Sequence, residues 1–253
     1  MAGASMGSQA RHDRDRDVMP RESGDAPSTA MTEYWTASGT VRGPLARRDL
    51  AELVGRGQAA IADPLPLGLA GFASATFVIS SVLAGWFRLS DVVVAIPVAF
   101  IFGGIVQFIA GMWAFRRGNI LAATAFSSFG AFNTAFALLL WLSLAHVIPD
   151  TTRGDPSLVT GVFILTFALI SLYLAFAALG DNTLVAAILF ILFITYLCDG
   201  IGTWIGGNNF ILGIGGYAGM ITSLLAFYLS AAIVVNSMRG REAWPVFAVP
   251  HGA

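Results

Sequence analysis

Long apolar blocks alternate with short polar connections along most of this chain. Six apolar runs cover about residues 65–87, 92–114, 120–145, 157–179, 183–205 and 210–236. Each can cross a hydrocarbon core of about 30 Å, because a helix rises about 1.5 Å per residue and needs about 20 residues to do so. The pattern predicts an all-α integral membrane protein, a bundle of six transmembrane helices in a domain at residues 63–238.

Asx residues mark the positions where the runs begin. They are Asp63, Asp91, Asn119, Asp155, Asn182 and Asn209. The side-chain oxygen of such a residue accepts hydrogen bonds from the free N–H groups of a first helical turn, so the spacing predicts helix starts at these positions. Pro64, which follows Asp63, suits the first helical position because its missing N–H would be unpaired there in any case.

Charged residues are concentrated outside the six runs. Residues 1–62 are rich in Arg, Asp, Ser and Gly, a composition that buries little apolar surface, and we expect a disordered N-terminal tail. Near residues 46–54 the apolar positions share one helical face, which predicts a short helix lying either on the lipid surface or against the protein itself. Residues 239–253 are expected to form a short cytoplasmic tail.

Arginine placement predicts the orientation in the membrane. The N-terminal tail, the turn at Arg116-Arg117 and the segment with Arg239 and Arg241 fall on one side of the bundle. Arg-rich connections stay on the cytoplasmic side, so both termini are expected there and the odd-numbered spans run outward. We expect a multi-pass protein of the plasma (cell inner) membrane.

Composition argues against several other classes of protein. Apolar residues make up 56% of the chain and charged residues 11%, whereas about a quarter of a soluble domain is charged. The net charge of −1 gives no basis for a nucleic-acid partner. The sequence has no phosphate-binding loop, H-E-x-x-H motif or His/Cys/carboxylate cluster, so we expect neither an enzyme nor a metal site nor a bound cofactor.

Polar side chains inside the runs are costly unless they are paired or hydrated, which makes them candidates for function. Gln107 either hydrogen-bonds a substrate or bridges two helices. Asp199 is a solvated carboxylate near the outer interface, a carrier of protons, or a partner for another helix. Asn133, Thr195 and Tyr196 are further polar residues within the runs.

Small residues form a stripe along the sixth run. They are Gly215, Gly219, Thr222, Ala226 and Ser230. Such a stripe lets helix backbones approach closely, either within one subunit or between subunits.

Two linked motifs carry a family resemblance. The first is Asp63-Pro64-Leu65-Pro66-Leu67-Gly68-Leu69, and the second runs from Gly103-Gly104-Ile105-Val106-Gln107 through Gly111 to residues 124–130. The first resembles the N-P-x-P-L-G-L signature of the acetate uptake transporter family, which includes the bacterial succinate-acetate permeases, and the second resembles the same family. This chain has Asp63 where the family has Asn.

The resemblance implies a function and an assembly. It implies uptake of acetate or similar small monocarboxylates, succinate among them, by proton symport through a hydrophobic constriction in each protomer of a homohexamer. The partners that follow are a small carboxylate substrate, the lipid bilayer and further copies of the chain. Two alternatives stay open: a channel for another small weak acid or neutral solute, and a membrane sensor or assembly protein that conducts nothing.

The resemblance also implies site residues. Phe72, Phe129 and Leu192 match the hydrophobic constriction, and Phe129 stands where the family usually has Tyr. Residues after Leu192 at helical spacing are expected to line an outer vestibule. The pore-lining candidates are Asp63, Gly68, Thr76, Gln107, Asn133, Thr195, Tyr196, Asp199 and Ala226.

Overall fold

Six long apolar helices make up most of the described part of the chain. The computed structural model describes residues 61–145, 147, 156–207 and 209–249, without the side chains of residues 89 and 156. The helices are α1 (Leu65–Leu83), α2 (Ser90–Arg116), α3 (Ile120–Leu144), α4 (Pro156–Ala178), α5 (Thr183–Trp204) and α6 (Asn209–Arg239). All six are long and apolar enough to span a membrane, as the sequence predicts. The predicted disordered tail, up to residue 60, and the predicted helix near 46–54 lie outside the described residues.

Two of the predicted helix caps are formed, at Asn119 and Asn182, whereas Pro64 and not Asp63 stands at the cap position of α1. The side chain of Asn119 accepts a hydrogen bond from the N–H of Ala122 at 2.9 Å. Asn182 accepts from two N–H groups in the first turn of α5, at 2.9 and 3.0 Å. Asp63 accepts from the N–H of Leu65 at 3.0 Å. These bonds satisfy donors that the first helical turn leaves free, so the Asx spacing correctly locates the starts of α1, α3 and α5.

The start of α2 differs from the prediction. Asp91 does not precede the helix but lies inside a 3-10 turn at Leu89–Val94, where it accepts from the N–H of Arg88 at 3.1 Å. The chain therefore turns before the Asx residue and not after it. α6 begins at Asn209 itself, and Asp155 lies outside the described residues.

The first helix is shorter than its apolar run. Hydropathy predicts a span to residue 87, but α1 ends at Leu83. Gly85 has a φ of 80° and its N–H donates to the carbonyl of Val82, while the N–H of Trp86 donates to that of Ser81. This pair of bonds around a left-handed glycine closes a helix in the Schellman manner, so the apolar residues beyond it are outside the helix. The ends of the other five spans agree with the prediction to within a few residues.

The second span changes helical type along its length. The 3-10 turn and a short α-helix at Ala95–Val98 lead into a π-helical stretch at Ala99–Val106, and an α-helix at Gln107–Arg116 completes the span. Pro97 cannot donate to the helical ladder. The π stretch ends directly before Gln107, so this irregular turn determines where the Gln107 side chain lies.

Glycines bring α2 close to its neighbours. A Cβ atom at Gly71 of α1 would come within 2.6 Å of the carbonyl oxygen of Phe102, and one at Gly103 would come within 3.0 Å of the Asn133 side chain on α3. Larger residues at either position would push the helices apart.

Small residues of α6 lie against α1 and α5 of the same chain. A Cβ atom at Gly216 would lie 2.7 Å from the carbonyl oxygen of Ser80 and 2.8 Å from the Cα of Ala84. The Ser230 hydroxyl donates to the carbonyl of Pro66 at 2.7 Å. The stripe residues that contact α1 or α5 are Gly215, Gly219 and Ser230. Of the two interpretations of the stripe, the structure shows the contact within a subunit.

Residues after α6 fold back onto the bundle. We call residues 241–249 the C-terminal strap. Its Val249 N–H donates to the carbonyl of Asp181 at 2.9 Å, and its Phe247 carbonyl accepts from the N–H of Thr183 at 3.1 Å. The side chain of Asn182 donates to the carbonyl of Val246 at 2.8 Å. The strap is thereby fixed to the turn between α4 and α5.

The other end of the strap is held by α6. The side chain of Asn236 accepts from the N–H groups of Ala243 and Trp244, at 2.8 and 2.9 Å, and donates to the Trp244 carbonyl at 2.7 Å. The Trp244 ring stacks on Tyr228, with ring centroids 6.1 Å apart. The expected short tail is therefore an ordered part of the bundle over these residues.

The odd-numbered helices surround a central space. α2 packs on α1 and α3, α4 packs on α5, and α6 packs on both α1 and α5. Within the described residues, α5 makes no close backbone approach to α1 or α3. α5 is therefore held apart from α1 and α3 by the even-numbered helices, and side chains and cavities occupy the space between them.

Candidate functional site

A small cavity lies at the end of the bundle where α1, α3 and α5 begin. Its volume is about 60 Å³, and we call it the proximal cavity. Leu65 and Leu69 of α1, Phe126 of α3 and Ile188 of α5 contribute apolar walls. The polar members of the lining are Gln107, Asn119 and Asp181.

A larger cavity lies at the end where the same three helices finish. Its volume is about 250 Å³, and we call it the distal cavity. Its lining has many more polar groups, contributed by α1, α3, α4 and α5. They include Thr76, Ser80, Asn133, Thr160, Thr195, Tyr196, Asp199 and Thr203.

Three apolar side chains meet between these cavities. Phe72, Phe129 and Leu192 all line the inner end of the proximal cavity and are 4%, 2% and 1% exposed. The rings of Phe72 and Phe129 have centroids 6.3 Å apart and an interplanar angle of 40°. We call these three residues the apolar ring. The structure thus brings together, from three helices, the residues that the sequence predicts for the constriction.

The lining changes from one cavity to the other within one helical turn. Phe72 lines the proximal cavity and Thr76 the distal one. On α3 the same change occurs from Phe129 to Asn133, and on α5 it occurs from Leu192 to Tyr196. One turn is about 5.4 Å, so only a short apolar stretch separates the two spaces.

Gln107 and Asn133 join the two linings. The Asn133 amide donates to the Gln107 Oε1 at 3.5 Å and to the Phe129 carbonyl at 3.0 Å. Gln107 is 0% exposed, and its Nε2 has no hydrogen-bond partner among the described residues. Gln107 therefore bridges two helices through its oxygen while its nitrogen keeps two N–H donors free.

Asp199 is buried in the wall of the distal cavity. It is 8% exposed, and its Oδ1 has no hydrogen-bond partner within the described part of the chain. A Cβ atom at Gly215 of α6 would collide with this oxygen. The interpretation of Asp199 as a solvated carboxylate is therefore wrong, because α6 covers it through a glycine. Pairing of Oδ1 with another helix is not observed either.

Three of the predicted pore-lining residues lie outside both linings. Asp63 is exposed at the start of α1. Gly68 packs against the ring of Phe126, which itself lines the proximal cavity. Ala226 is 0% exposed and lies in the core beside the ring residues.

Some lining residues are not among those that the sequence motifs predict. Ser80 follows Phe72 and Thr76 at intervals of one turn, so helical spacing alone could have identified it. Thr160 and Ile164 belong to the distal lining through α4. Nothing in the sequence indicates that this helix reaches the cavity, because the prediction rested on motifs in α1, α3 and α5.

The charged side chains described in the two cavity linings are both acidic. Among the residues that the structure describes, neither lining includes an Arg or His side chain, and the acidic members are Asp181 in the proximal cavity and Asp199 in the distal one. Among the described residues no group of three or more His, Cys, Asp or Glu side chains could hold a metal ion. Hydrogen-bond donors available to a ligand therefore come from amides and hydroxyls.

Comparisons with known proteins agree on one family. Residues 52–251 match the GPR1/FUN34/yaaH family. The chain is 30% identical over 191 residues to the succinate-acetate/proton symporter SatP of Escherichia coli, covering 75% of this chain and 97% of the relative. It is also 30% identical over 200 residues to acetate permease A of Emericella nidulans, covering 75% of this chain and 67% of that protein.

A solved structure shares the fold. The structure of the bacterial acetate channel SatP matches with a TM-score of 0.65 at 29% sequence identity, and the match covers 74% of this chain and 99% of that one. The likeness therefore extends over almost the whole of that channel.

Proposed function

The chain belongs to the GPR1/FUN34/yaaH family, and on that premise we propose that it carries acetate or a similar small monocarboxylate across the plasma membrane by proton-coupled transport. The names of the relatives, a succinate-acetate/proton symporter and an acetate permease, support the substrate class. The match to a solved acetate channel supports a path through each protomer.

The proposed path runs through the distal cavity, the apolar ring and the proximal cavity. The observation that carries it is the change of lining within one turn on α1, α3 and α5. At Phe72, Phe129 and Leu192 a solute must give up most of its water, which costs more for a larger or more highly charged solute. Such a ring favours small carboxylic acids over di- and tricarboxylates.

Gln107 is the proposed hydrogen-bond donor to the substrate. A buried donor without a partner lowers stability by about 1–3 kcal/mol. The Nε2 of Gln107 is such a donor, and Gln107 lies in the wall of the proximal cavity. A carboxyl oxygen that has passed the ring can accept from it. The bond to Asn133 holds the amide plane, so the free N–H groups keep one direction.

The proposed orientation is the one that the arginine placement predicts. With both termini cytoplasmic, the distal cavity faces the outside and the proximal cavity faces the cytoplasm. We propose a homohexamer with one path in each protomer, as the family resemblance implies.

The test is uptake of radiolabelled acetate by liposomes that contain the purified protein. We expect saturable uptake that an inward proton gradient stimulates and that unlabelled propionate inhibits more strongly than a tricarboxylate does. Protein-free liposomes measure the passive leak of the undissociated acid.

Two results would contradict the proposal. Uptake no faster than the leak, from protein shown to be folded, would favour the alternative of a sensor or assembly protein. Flux of urea or glycerol without flux of acetate would favour a channel for small neutral solutes.

A further inference from the structure

Asp199 is the feature that the proposed path leaves unexplained. It lines the distal cavity, it is 8% exposed, and its Oδ1 has no hydrogen-bond partner among the described residues. A carboxyl group at membrane depth is costly unless another group meets it. No described side chain donates to Oδ1, which faces Gly215 of α6, and the rest of the carboxyl group lines the cavity, where a ligand can contact it.

The surroundings of Asp199 contain no positive charge in the described part of the chain. The titratable groups beside it on α5 are Tyr196 and Cys198. Arg88 and Asp91, at the same end of the bundle, are exposed and outside the cavity lining. The groups that α1, α3, α4 and α6 contribute nearby are Thr76, Ser80, Asn133, Thr160 and Gly215. All of these are neutral.

A second carboxyl group entering this cavity cannot be ionised together with Asp199. Two like charges side by side, without a cation, strongly disfavour the doubly charged state, and the pair keeps a proton. The pair formed by Asp199 and a monocarboxylate therefore carries one negative charge at most. Binding of the substrate in the distal cavity requires a proton.

We propose, resting on the transport function above, that Asp199 makes the distal cavity a binding site for the undissociated acid. One proton lies between the Asp199 carboxyl and the substrate carboxyl, whether it arrives on the acid or is taken up with the carboxylate. The substrate leaves toward the ring as the neutral acid with that proton, and Asp199 returns to its starting state. One carboxylate and one proton enter, and both leave on the other side.

This assignment fits the apolar ring. A neutral acid gives up far less hydration energy than a carboxylate when it passes Phe72, Phe129 and Leu192. The carboxyl of Asp199 thus acts before the ring, where it excludes the anion and selects the form that can cross. It is a specificity-determining residue for the proposed transport, and hydroxyl groups such as Thr76 and Ser80 are placed to contact the same ligand.

The first test counts protons taken up when acetate binds. Titration calorimetry of the detergent-solubilised protein in two buffers with different ionisation enthalpies gives the number of protons per bound acetate. At a pH high enough to ionise Asp199 in the empty cavity, we expect about one more proton for the wild type than for Asp199→Asn, because the amide cannot share a proton in this way. Asp91→Asn, which changes an exposed acid at the same end of the bundle, should behave as the wild type does.

The second test measures acetate flux under an imposed membrane potential. Wild-type liposomes should show flux that is insensitive to a potassium diffusion potential, since the transported species is neutral. Asp199→Asn removes the like charge that excludes the anion, so its potential-driven flux should exceed that of the wild type by about tenfold or more. Asp199→Glu retains the carboxyl and should stay insensitive to the potential even if its rate falls.

The outcomes separate this proposal from the proposed function. Absence of saturable acetate flux in the wild type would overturn the function itself. Saturable wild-type flux with the same proton count and the same response to potential in Asp199→Asn would overturn only the role of Asp199. Inhibition of uptake by ammonium or potassium at constant pH that disappears in Asp199→Asn would also overturn it, because the cavity would then be a cation site.

Discussion

The ring of Phe129 packs against the ring of Tyr196, with centroids 6.0 Å apart, although the two side chains line different cavities. This aromatic contact between α3 and α5 therefore lies between the distal space and the proximal one. Because Phe72 lies against the other side of Phe129, the Phe129 ring is shared between both contacts. Substitutions at the ring should act on passage and not only on packing.

Widening the apolar ring should change the choice of substrate. Leu192→Ala and Phe129→Ala remove bulk from the narrowest part of the path, so the uptake ratio of succinate to acetate, normalised to folded protein, should rise by roughly fivefold. Each change also leaves a cavity that costs roughly 2–5 kcal/mol of stability. Leu229→Ala is the matched control, since Leu229 is 0% exposed and outside both linings. If Leu229→Ala raises the ratio equally, packing alone explains the effect.

Phe129→Tyr should strengthen acetate binding without widening the ring. It adds the hydroxyl that the family usually has at this position, and a buried phenolic O–H is stable only where it finds a partner. A lower KM for acetate, with the ratio of succinate to acetate unchanged, is the expected result of initial-rate measurements. A raised ratio would mean that the added group distorts the ring.

Gln107→Leu should weaken substrate binding while preserving stability. Loss of one hydrogen bond to a carboxyl oxygen should raise the KM for acetate by about tenfold. The melting temperature should change little, because removal of the unpaired Nε2 offsets loss of the long bond from Asn133 to Oε1. Ser127→Ala is the matched control, since the Ser127 hydroxyl is also buried without a partner but lies outside both linings. An unchanged KM in Gln107→Leu would leave Gln107 with its bridging role alone.

Gly216→Ala should destabilise the bundle. Its new Cβ would meet the backbone of α1 at 2.7–2.8 Å, which forces α1 and α6 apart at a cost of roughly 1–3 kcal/mol. Gly213→Ala on the same helix has open space and should be neutral or stabilising by about 0.4–1 kcal/mol. Thermal unfolding in detergent measures both variants. Equal melting temperatures would show that α1 and α6 are not in close contact in solution.

Asn182 should hold both the start of α5 and the C-terminal strap. Asn182→Ala removes the cap at a cost of about 0.5–2 kcal/mol and frees the strap. Asn182→Asp keeps the acceptor for the helix N–H groups but loses the donor to Val246, so it should free the strap without the loss of the cap. Hydrogen exchange over residues 241–249 should rise in both variants. Unchanged exchange in both would mean that the other strap contacts suffice.

Much of this fold could be predicted because its determinants are local. Apolar run length and Asx positions identify six spans, and the starts of α1, α3 and α5 follow from Asp63, Asn119 and Asn182. The family motif places the three ring residues on different helices, and the structure brings them together. Helical spacing of four residues then places Thr76 and Asn133 on the next turn.

The remaining features depend on contacts that no local pattern records. The π-helical stretch before Gln107 arises where α2 packs on two neighbouring helices. An apolar run has the same hydropathy whether it forms an α-helix or a π-helix, so hydropathy could not predict this stretch. The end of α1 depends on Gly85, whose positive φ is invisible in an apolar run. The burial of Asp199 depends on Gly215 of another helix. The close backbone contact between α6 and α1 is made by Gly216, which is the residue after Gly215 and is not one of the predicted stripe residues.

The contacts of the C-terminal strap can form only late in the synthesis of the protein. Synthesis proceeds from the N-terminus at about 5–20 residues per second, so residues 241–249 emerge after all six helices. The bond from Val249 to the carbonyl of Asp181 can form only when α6 has already been inserted. Asp181 also lines the proximal cavity, so the strap is fixed beside that wall by a contact that forms late in synthesis. A ribosome that stops before the strap would leave six inserted helices and a turn between α4 and α5 without its strap contacts.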